Sequence, residues 1–286
     1  MTPTEEFVNV AKPSSVVLNK LPTPTFIIKD SFSLYTLLAV GAIVQVAMFA
    51  ILPPEMAVLP CMSLVLHALA RTVIGAAYPQ SNRLLVDVVP GRTSAQLADA
   101  ATGRFGNAPA SRPLVVFHFG VRFNHPLGVL SPGAREVSEH FARCYKSISE
   151  DEAHGMLGVS SWRAAERGSH NTQMLVFYFR DLEAVHRFAQ SPVHQEAWAW
   201  VTRSGWKHIG VFHEAFCVEP GAYETIYVNM PPLLMGATAC KVPGGWNQRG
   251  GGGGSEASEE REEVSVMNLV SANHQALRTQ LGRMRR

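Results

Sequence analysis

Polar and apolar side chains alternate along residues 208–232, whose sequence is HIGVFHEAFCVEPGAYETIYVNMPP. A strand that only fills a core repeats apolar residues on its buried face, whereas a buried polar group needs a hydrogen-bond partner. The pattern therefore predicts a polar pocket lining that can bind a substrate and move its protons. The polar residues of this segment that we predict to line the pocket are His213, Glu214, Tyr223, Tyr227 and Asn229.

His213 is the predicted general acid or base of this pocket, because an unperturbed imidazole titrates near neutral pH. Adjacent strand residues point to opposite sides, so His213 and Glu214 cannot act as a touching pair. One of them faces the pocket and the other faces helices or a dimer partner, and apolar neighbours on both faces leave that choice open. A core histidine with a backbone partner is the alternative interpretation of His213.

Further candidates lie outside the last strand. His194 and Trp198 are four residues apart on a predicted helix, so they are neighbours that either line a substrate cavity or simply pack together. His118 and Arg122 share a strand face, where the guanidinium orients an anionic oxygen unless the face is a solvated sheet edge. The predicted catalytic residues are His213, His194 and Asn229, and the predicted substrate-binding residues are Trp198, Tyr223, Tyr227, Arg122, His118 and Glu214. The alternative role of the two tyrosines and Asn229 is a dimer contact.

Motifs that bind metals or organic cofactors are absent from the sequence. It contains no HxH, no HExxH, no GxGxxG after a strand and no P-loop. We therefore predict no cofactor, with dioxygen as co-substrate, and haem stays an open alternative because a single axial histidine has no sequence signature. In such chemistry a base removes an acidic proton, and the resulting carbanion or enolate reacts with dioxygen. A positioned general base contributes roughly 100- to 10,000-fold.

The elements that must position these residues follow the order βαββαβ. Apolar residues recur at strand spacing in four segments and at helical spacing in the segments between them. This order predicts an α+β, ferredoxin-like domain over residues 113–242, with helices on one face of an antiparallel sheet. The other face would be covered by a second copy in a dimeric α+β barrel, so we predict a homodimer. The residues expected on that open face are Phe117, Phe119, Val121, Val176 and Tyr178.

Two apolar stretches precede this domain. Residues 33–52 carry no charge, and a membrane-spanning helix needs roughly 20 such residues. Residues 56–78 form a second stretch, in which Arg71 is expected near an interface. The two predict a membrane-anchoring helical hairpin over residues 32–78, with a buried hairpin of a soluble protein as the alternative. Lys20, Lys29, Arg71 and Arg83 would lie on one side, which the positive-inside rule assigns to the cytosol together with the folded domain.

The remaining segments are predicted to lack stable structure. Residues 1–31 and 79–112 are expected to be a disordered N-terminus and a linker, with a short helix over 93–101. Residues 243–286 are expected to be a disordered Gly-rich and charged tail, with a weak helix over 264–281. The net charge of +2 without a basic stripe argues against nucleic-acid binding. Four widely spaced cysteines are predicted free thiols in a reducing compartment.

Several of these segments also carry a family resemblance. FRDLEAVHRFAQ over residues 179–190, the His-x-x-Ala-Trp helix, GVFHEAF and the terminal YETIYVNMPP resemble the monooxygenase family typified by the ABM-type, or antibiotic-biosynthesis-type, monooxygenase of fungal fumagillin biosynthesis. The resemblance covers residues 114–232. It implies a dimeric α+β barrel that oxidises a lipophilic secondary metabolite, a polyketide or a terpenoid, at a membrane such as the endoplasmic reticulum. Relatives often carry Tyr after His-Glu-Thr, where this chain has Ala215-Phe216, so that phenol is not available here.

The alternative function is a barrel protein that binds a hydrophobic pathway intermediate without oxidising it. Such a protein would be non-catalytic or would act as a cyclase or dehydratase.

Overall fold

A computed structural model describes residues 5–11, 31–151, 155–164, 171–242 and 264–284 of the chain. Two compact units are present, one formed by residues 23–88 and the other by residues 1–22 together with 89–286. Residues 243–263 of the predicted Gly-rich and charged tail lie outside the described residues, and so do Lys20 and Lys29 of the predicted cytosolic side.

The smaller unit contains two long apolar helices. Helix α1 spans Leu34–Ile51, a short helix α2 spans Pro54–Ala57, and helix α3 spans Leu59–Ala77. Ser33 caps α1, because its hydroxyl accepts a hydrogen bond from the backbone N–H of Thr36 at 3.2 Å. The chain turns at Pro53 and Pro54, as expected where proline cannot continue a helix. Both long helices have the length and composition needed to cross a membrane.

Gln45 connects the two halves of this hairpin. Its side-chain amide donates a hydrogen bond to the carbonyl of Ala57 at 3.0 Å. Its oxygen accepts a hydrogen bond from the thiol of Cys61 at 2.7 Å. An amide side chain in an apolar helix is costly without partners, so these contacts explain how α1 accommodates Gln45.

The larger unit contains the predicted ferredoxin-like sheet. Its strands are β2 (Leu114–Phe123), β3 (Met156–Ala164), β4 (Thr172–Phe179) and β5 (Ile209–Val218), in the order β3-β4-β2-β5. Every adjacent pair is antiparallel. Helices α4 (Ala134–Glu150), α5 (Leu182–Gln190) and α6 (Pro192–Ser204) occupy the crossover positions. The predicted α+β class and the βαββαβ order are therefore confirmed.

Local signals explain where the helices of this unit begin and end. The carboxylate of Asp181 accepts a hydrogen bond from the N–H of Ala184 at 2.7 Å and starts α5. Ser191 caps α6, and Pro192 occupies the first helical position, where its missing N–H costs nothing. Gly205 ends α6 with a φ of 68°, a left-handed conformation that favours glycine.

One face of the sheet packs on these helices. Phe117 of β2 and Phe177 and Phe179 of β4 are buried there against α4 and α5, with Cys144 and Phe188 on the helix side. Phe119 stacks on Phe141 of α4 with ring centroids 4.6 Å apart, and Val121 packs on Val137. This face forms the core behind the candidate site.

The predicted open face of the sheet is therefore wrong for three of its five residues. Phe117, Phe119 and Val121 do share one strand face, but that face is the one covered by helices. Val176 and Tyr178 do lie on the opposite face, where they are buried in a second core made by the same chain. Strand periodicity separates two faces without identifying which one the helices cover.

The second core is built from segments predicted to be a linker and a disordered tail. Strand β1 (Val89–Ala95) lies between β6 (Tyr227–Met230) and β9 (Leu269–Ser271) in a three-stranded sheet. Strands β7 (Ala239–Val242) and β8 (Val264–Met267) form a separate pair, and a short helix α7 spans Gln280–Arg283. The tail residues that this core buries almost completely are Val266, Val270, Ala272 and Leu277.

The second core corrects three predictions, namely the two helices over 93–101 and 264–281 and the disorder of the whole N-terminus. Residues 93–101 begin as the end of β1 and form no helix. Residues 264–281 form two short strands and a 3-10 turn instead of a weak helix. At the N-terminus Phe7 is buried, with its ring edge-on to His274 at 4.8 Å. These short strands obtain their hydrogen bonds from partners far away in sequence, which local patterns do not reveal.

Candidate active site

A pocket lies between the sheet and the helices, on the side of strand β5. Its volume is about 250 Å³, and it opens between β2, β5, α4 and α6. The sheet and the helices both contribute apolar side chains to its walls, among them Phe119, Val137, Phe141 and Val201. Three histidines interrupt these walls: His140, His194 and His213. An apolar cavity with a few convergent polar groups is the usual form of a small-molecule site.

His213 reaches the pocket through the register of β5. It pairs with Phe119 of β2, so both side chains point to the helix face of the sheet. The His213 ring lies 5.7 Å from that of Phe117 and is tilted by 35°. The choice that strand parity left open is therefore decided, because His213 lines the pocket and Glu214 points to the other face.

His194 enters the pocket from the first turn of α6. Its Nδ1 lies 2.9 Å from the carbonyl oxygen of Ala189, which only accepts hydrogen bonds. Nδ1 therefore carries the proton in the neutral ring, and Nε2 carries the lone pair. Phe188 holds the ring edge-on at 5.0 Å. His194 thus offers a hydrogen-bond acceptor or a base at Nε2.

Trp198 follows one helical turn after His194 and also lines the pocket. Its side chain is 55% exposed, so its indole borders the opening to solvent. The prediction that His194 and Trp198 are neighbours lining a cavity agrees with this placement. Trp198 supplies apolar wall at the point where a ligand would enter.

His140 is a pocket residue that the sequence analysis missed. It lies on α4, where Arg143 donates from Nη2 to its Nδ1 at 2.8 Å. Burial lowers the pKa of His140, the charge of Arg143 lowers it further, and the carboxylates of Glu196 and Glu139 act in the opposite direction. The available signal was its position beside Val137, Phe141 and Cys144 on the apolar face of the predicted helix.

Cys144 lines the same pocket beside α6. Burial raises the pKa of its thiol to about 11, so the thiol stays protonated at neutral pH. A protonated thiol is a poor nucleophile and a poor metal ligand. Cys144 therefore belongs to the apolar wall of the pocket.

Comparison with known proteins places this chain in a family. It is 36% identical over 264 residues to Monooxygenase af470 of Aspergillus fumigatus, an overlap that covers 92% of this chain and 90% of the relative. The chain belongs to the af470-like monooxygenase family. Residues 114–235, which contain the pocket, match the sequence profile described as Monooxygenase af470-like.

Solved structures overlap with this af470-like chain over smaller parts. SnoaB, a cofactor-independent oxygenase from Streptomyces nogalater, is 17% identical and matches 37% of this chain and 91% of its own length, with a TM-score of 0.26. An aldoxime dehydratase in complex with butyraldoxime is 13% identical and matches 51% of this chain and 39% of its own length, with a TM-score of 0.38.

The other predicted site residues of the af470-like chain are not part of the pocket lining. His118 and Glu214 meet on the opposite face of the sheet, where Nδ1 and Oε2 are 3.4 Å apart. Arg122 shares that face and donates to the side-chain oxygens of Asn124 and Thr172 at 2.8 and 2.9 Å. The predicted polar lining is therefore divided between two sides of one sheet, because successive strand residues alternate.

The predicted site residues Tyr223, Tyr227 and Asn229 make contacts that hold parts of the fold together. Tyr227 is half-buried and its hydroxyl accepts a hydrogen bond from the N–H of Gly236 at 3.1 Å, and Tyr223 packs against the second core. Asn229 has a φ of 52°, and its side-chain oxygen accepts a hydrogen bond from the N–H of Gly91 at 2.8 Å. Asn229 therefore joins β6 to an irregularity in β1, and it is not among the residues that line the pocket.

The three pocket histidines are not arranged as a metal-binding group. Within the described parts of the chain, no cluster of three or more His, Cys, Asp or Glu side chains has the geometry to hold a metal ion. The polar side chains that the pocket offers to a ligand are separate imidazoles in an apolar cavity.

Proposed function

We propose that this protein is a membrane-tethered monooxygenase that oxidises a lipophilic secondary metabolite, a polyketide or a terpenoid, without a metal or organic cofactor. Membership in the af470-like family supports the reaction class. The observation that carries the finer proposal is the pocket itself, whose walls are apolar and whose polar groups are imidazoles. Apolar walls favour a lipophilic substrate, and an imidazole transfers protons near neutral pH.

In the proposed reaction the substrate is the only reductant, and its CH₂ group supplies all four electrons that reduce dioxygen. His213 removes a proton from a CH₂ group that a neighbouring carbonyl has acidified, and the electron pair moves to the carbonyl oxygen as an enolate. The enolate carbon bonds to dioxygen, and protonation of the distal oxygen gives a hydroperoxide. Loss of the remaining C–H proton with cleavage of the O–O bond leaves a new carbonyl and releases water. One oxygen atom enters the substrate, the other leaves as water, and no external reductant is needed.

The test uses the purified full-length chain in detergent with candidate lipophilic substrates under ¹⁸O₂. The proposal expects one ¹⁸O atom per product and an activity that persists after metal chelation in protein free of haem and flavin absorbance. Activity that depends on stoichiometric haem or metal would overturn the cofactor-free part. A product formed equally well without oxygen would indicate a cyclase or dehydratase, and tight binding without a product would indicate a carrier.

Trp198 provides a prediction about binding as distinct from chemistry. Trp198→Ala should raise KM roughly 10-fold or more, because burying an aromatic side chain against a ligand contributes about 1.5–3 kcal/mol. The turnover number should change less than KM, because the indole carries no proton in the reaction. Steady-state kinetics of Trp198→Ala beside Trp206→Ala, an exposed tryptophan outside the pocket lining, make the comparison. A fall in turnover with unchanged KM would contradict this role.

Tethering to the membrane is proposed from α1 and α3, with the catalytic unit on the cytosolic face of the endoplasmic reticulum. Full-length protein is expected to stay in the membrane pellet after alkaline washing. A variant lacking residues 32–78 is expected to move to the soluble fraction. Release of the full-length chain by alkaline washing would rule out spanning helices, and a glycosylation acceptor modified in the catalytic unit would rule out the cytosolic orientation.

A homodimer is proposed from the uncovered half of the sheet. The second core covers β3, β4 and part of β2, whereas Phe212 and Phe216 of β5 remain 37% and 48% exposed. Exposed aromatic residues on one strand face favour association with a second copy. Sedimentation in detergent should give a dimer, and Phe216→Glu should give monomers. Leu182→Glu on α5, which changes a residue exposed to a similar degree, should leave the dimer intact. A wild-type monomer at micromolar concentration would refute the proposal.

A further inference from the structure

The side chain of His140 is held in one tautomer by its neighbour. Arg143 donates from Nη2 to Nδ1 of His140 at 2.8 Å. A guanidinium has no acceptor, so Nδ1 must supply the lone pair and the ring proton must reside on Nε2. The ring also lies 5.1 Å from that of Trp200, which limits its orientation. His140 therefore presents a fixed N–H donor on the side of the ring away from Arg143.

Arg143 is itself fixed by a carboxylate. Its Nη1 lies 3.0 Å from Oε1 and 3.1 Å from Oε2 of Glu196, so the contact links α4 to α6. The other terminal nitrogen of the same guanidinium is then free to donate to His140. Protonating His140 would break this hydrogen bond and place two cations side by side, so the arrangement keeps the imidazole neutral.

The two helix-borne histidines of the pocket are therefore complementary. His194 donates from Nδ1 to a carbonyl and offers a lone pair at Nε2, whereas His140 accepts at Nδ1 and offers a proton at Nε2. Both line one cavity with apolar walls, where a hydrogen bond is stronger than in water. A neutral donor in such a cavity stabilises an oxygen that gains negative charge without transferring its proton.

We propose that His140 is a further catalytic residue, whose Nε2–H donates a hydrogen bond to the substrate oxygen that becomes the enolate. The inference rests on the proposed function and names its substrate class, a carbon acid with an adjacent carbonyl. The substrate proton goes to His213, the electron pair of the C–H bond goes to the carbonyl oxygen, and the N–H of His140 stays in place. Arg143 and Glu196 act as positioning residues, because they set the tautomer without touching the substrate.

The test measures oxyanion binding in the full-length chain, with 4-nitrophenolate as the oxyanion probe and nitrobenzene as the uncharged control. His140→Leu should weaken 4-nitrophenolate roughly 10- to 100-fold, as expected for a hydrogen bond to a charged group. Nitrobenzene affinity should change less than about threefold. His140→Gln retains an N–H donor and should recover most of the phenolate affinity. Equal losses for both probes, or no loss for either, would overturn the proposal.

The tautomers provide a second measurement that needs no ligand. Long-range ¹H–¹⁵N spectra of histidine-labelled protein should show His140 protonated at Nε2 and His194 protonated at Nδ1. Arg143→Leu should release His140 into a mixture of tautomers and lower phenolate affinity, with the His194 signals unchanged. A wild-type His140 protonated at Nδ1 would overturn the assignment. These binding and tautomer results do not depend on turnover, so a failure of oxygenation in the ¹⁸O₂ experiment would be recognised separately.

Discussion

His213→Ala is expected to lower turnover by roughly two to four decades, the range that positioned proton transfer supplies. His213 lies on the helix face of β5 opposite Phe119 and lines the pocket, so it can reach a substrate held against the aromatic wall. Loss of its imidazole removes the proposed proton acceptor, whereas the apolar walls that bind the substrate remain. The fall should therefore appear in kcat, with a smaller change in KM.

The matched control for this experiment is His186→Ala. His186 is an exposed histidine on α5, with its Nδ1 3.9 Å from a carboxylate oxygen of Glu183, and it is not part of the pocket lining. Its replacement should leave turnover within a factor of about two, because surface substitutions usually change stability by less than about 0.5 kcal/mol. Circular dichroism of both variants should match the wild type. A His213→Ala variant that keeps near-wild-type turnover would show that another group moves the proton.

Asn268→Ala is expected to lower the free energy of unfolding by roughly 2–4 kcal/mol, because it leaves buried polar groups without partners. Asn268 has no exposed surface. Its side-chain oxygen accepts from the N–H of Ala98 at 2.9 Å, and its amide donates to the hydroxyl of Thr238 at 2.9 Å. The thiol of Cys240 donates to the same oxygen at 3.5 Å. One side chain thus joins three segments that are far apart in sequence.

Urea unfolding of the full-length chain, followed by tryptophan fluorescence, measures this loss. Asn273→Ala is the control, because Asn273 lies in the same C-terminal segment with an exposed side chain. The control should change the unfolding free energy by less than about 0.5 kcal/mol. If Asn268→Ala shifts it by less than about 1 kcal/mol, the C-terminal segment does not stabilise the fold as its burial implies.

The repeating pattern of the central domain could be read from the chain because it depends on local signals. Alternation over residues 114–123 and helical spacing from Val137 to Ile148 are properties of neighbouring residues, and the structure has a strand and a helix there. Start and stop signals at Asp181 and Gly205 act within one helical turn. His213, His194 and Trp198 could be chosen as candidates for the same reason, because residue type and sequence spacing are local properties.

The tertiary structure alone decided which of these residues share a cavity. Strand periodicity of two separates His213 from Glu214 but does not say which face the helices cover, and the register with Phe119 settles it. His140 becomes a site residue only because α4 packs beside α6, where Arg143 meets Glu196. Its sequence neighbourhood is that of an ordinary amphipathic helix.

The second core was also beyond the reach of local patterns. Residues 264–271 are too short and too mixed in composition to predict strands, and they become strands by pairing with β1 and β7 from distant parts of the chain. Asn268 is polar, yet it is fully buried because its partners come from two other segments. Local sequence therefore determined the elements of the central domain and the candidate chemistry of this protein. Long-range packing decided which sheet face the helices cover, which strands pair in the second core and which histidines line the pocket. Those contacts join residues that no local pattern connects.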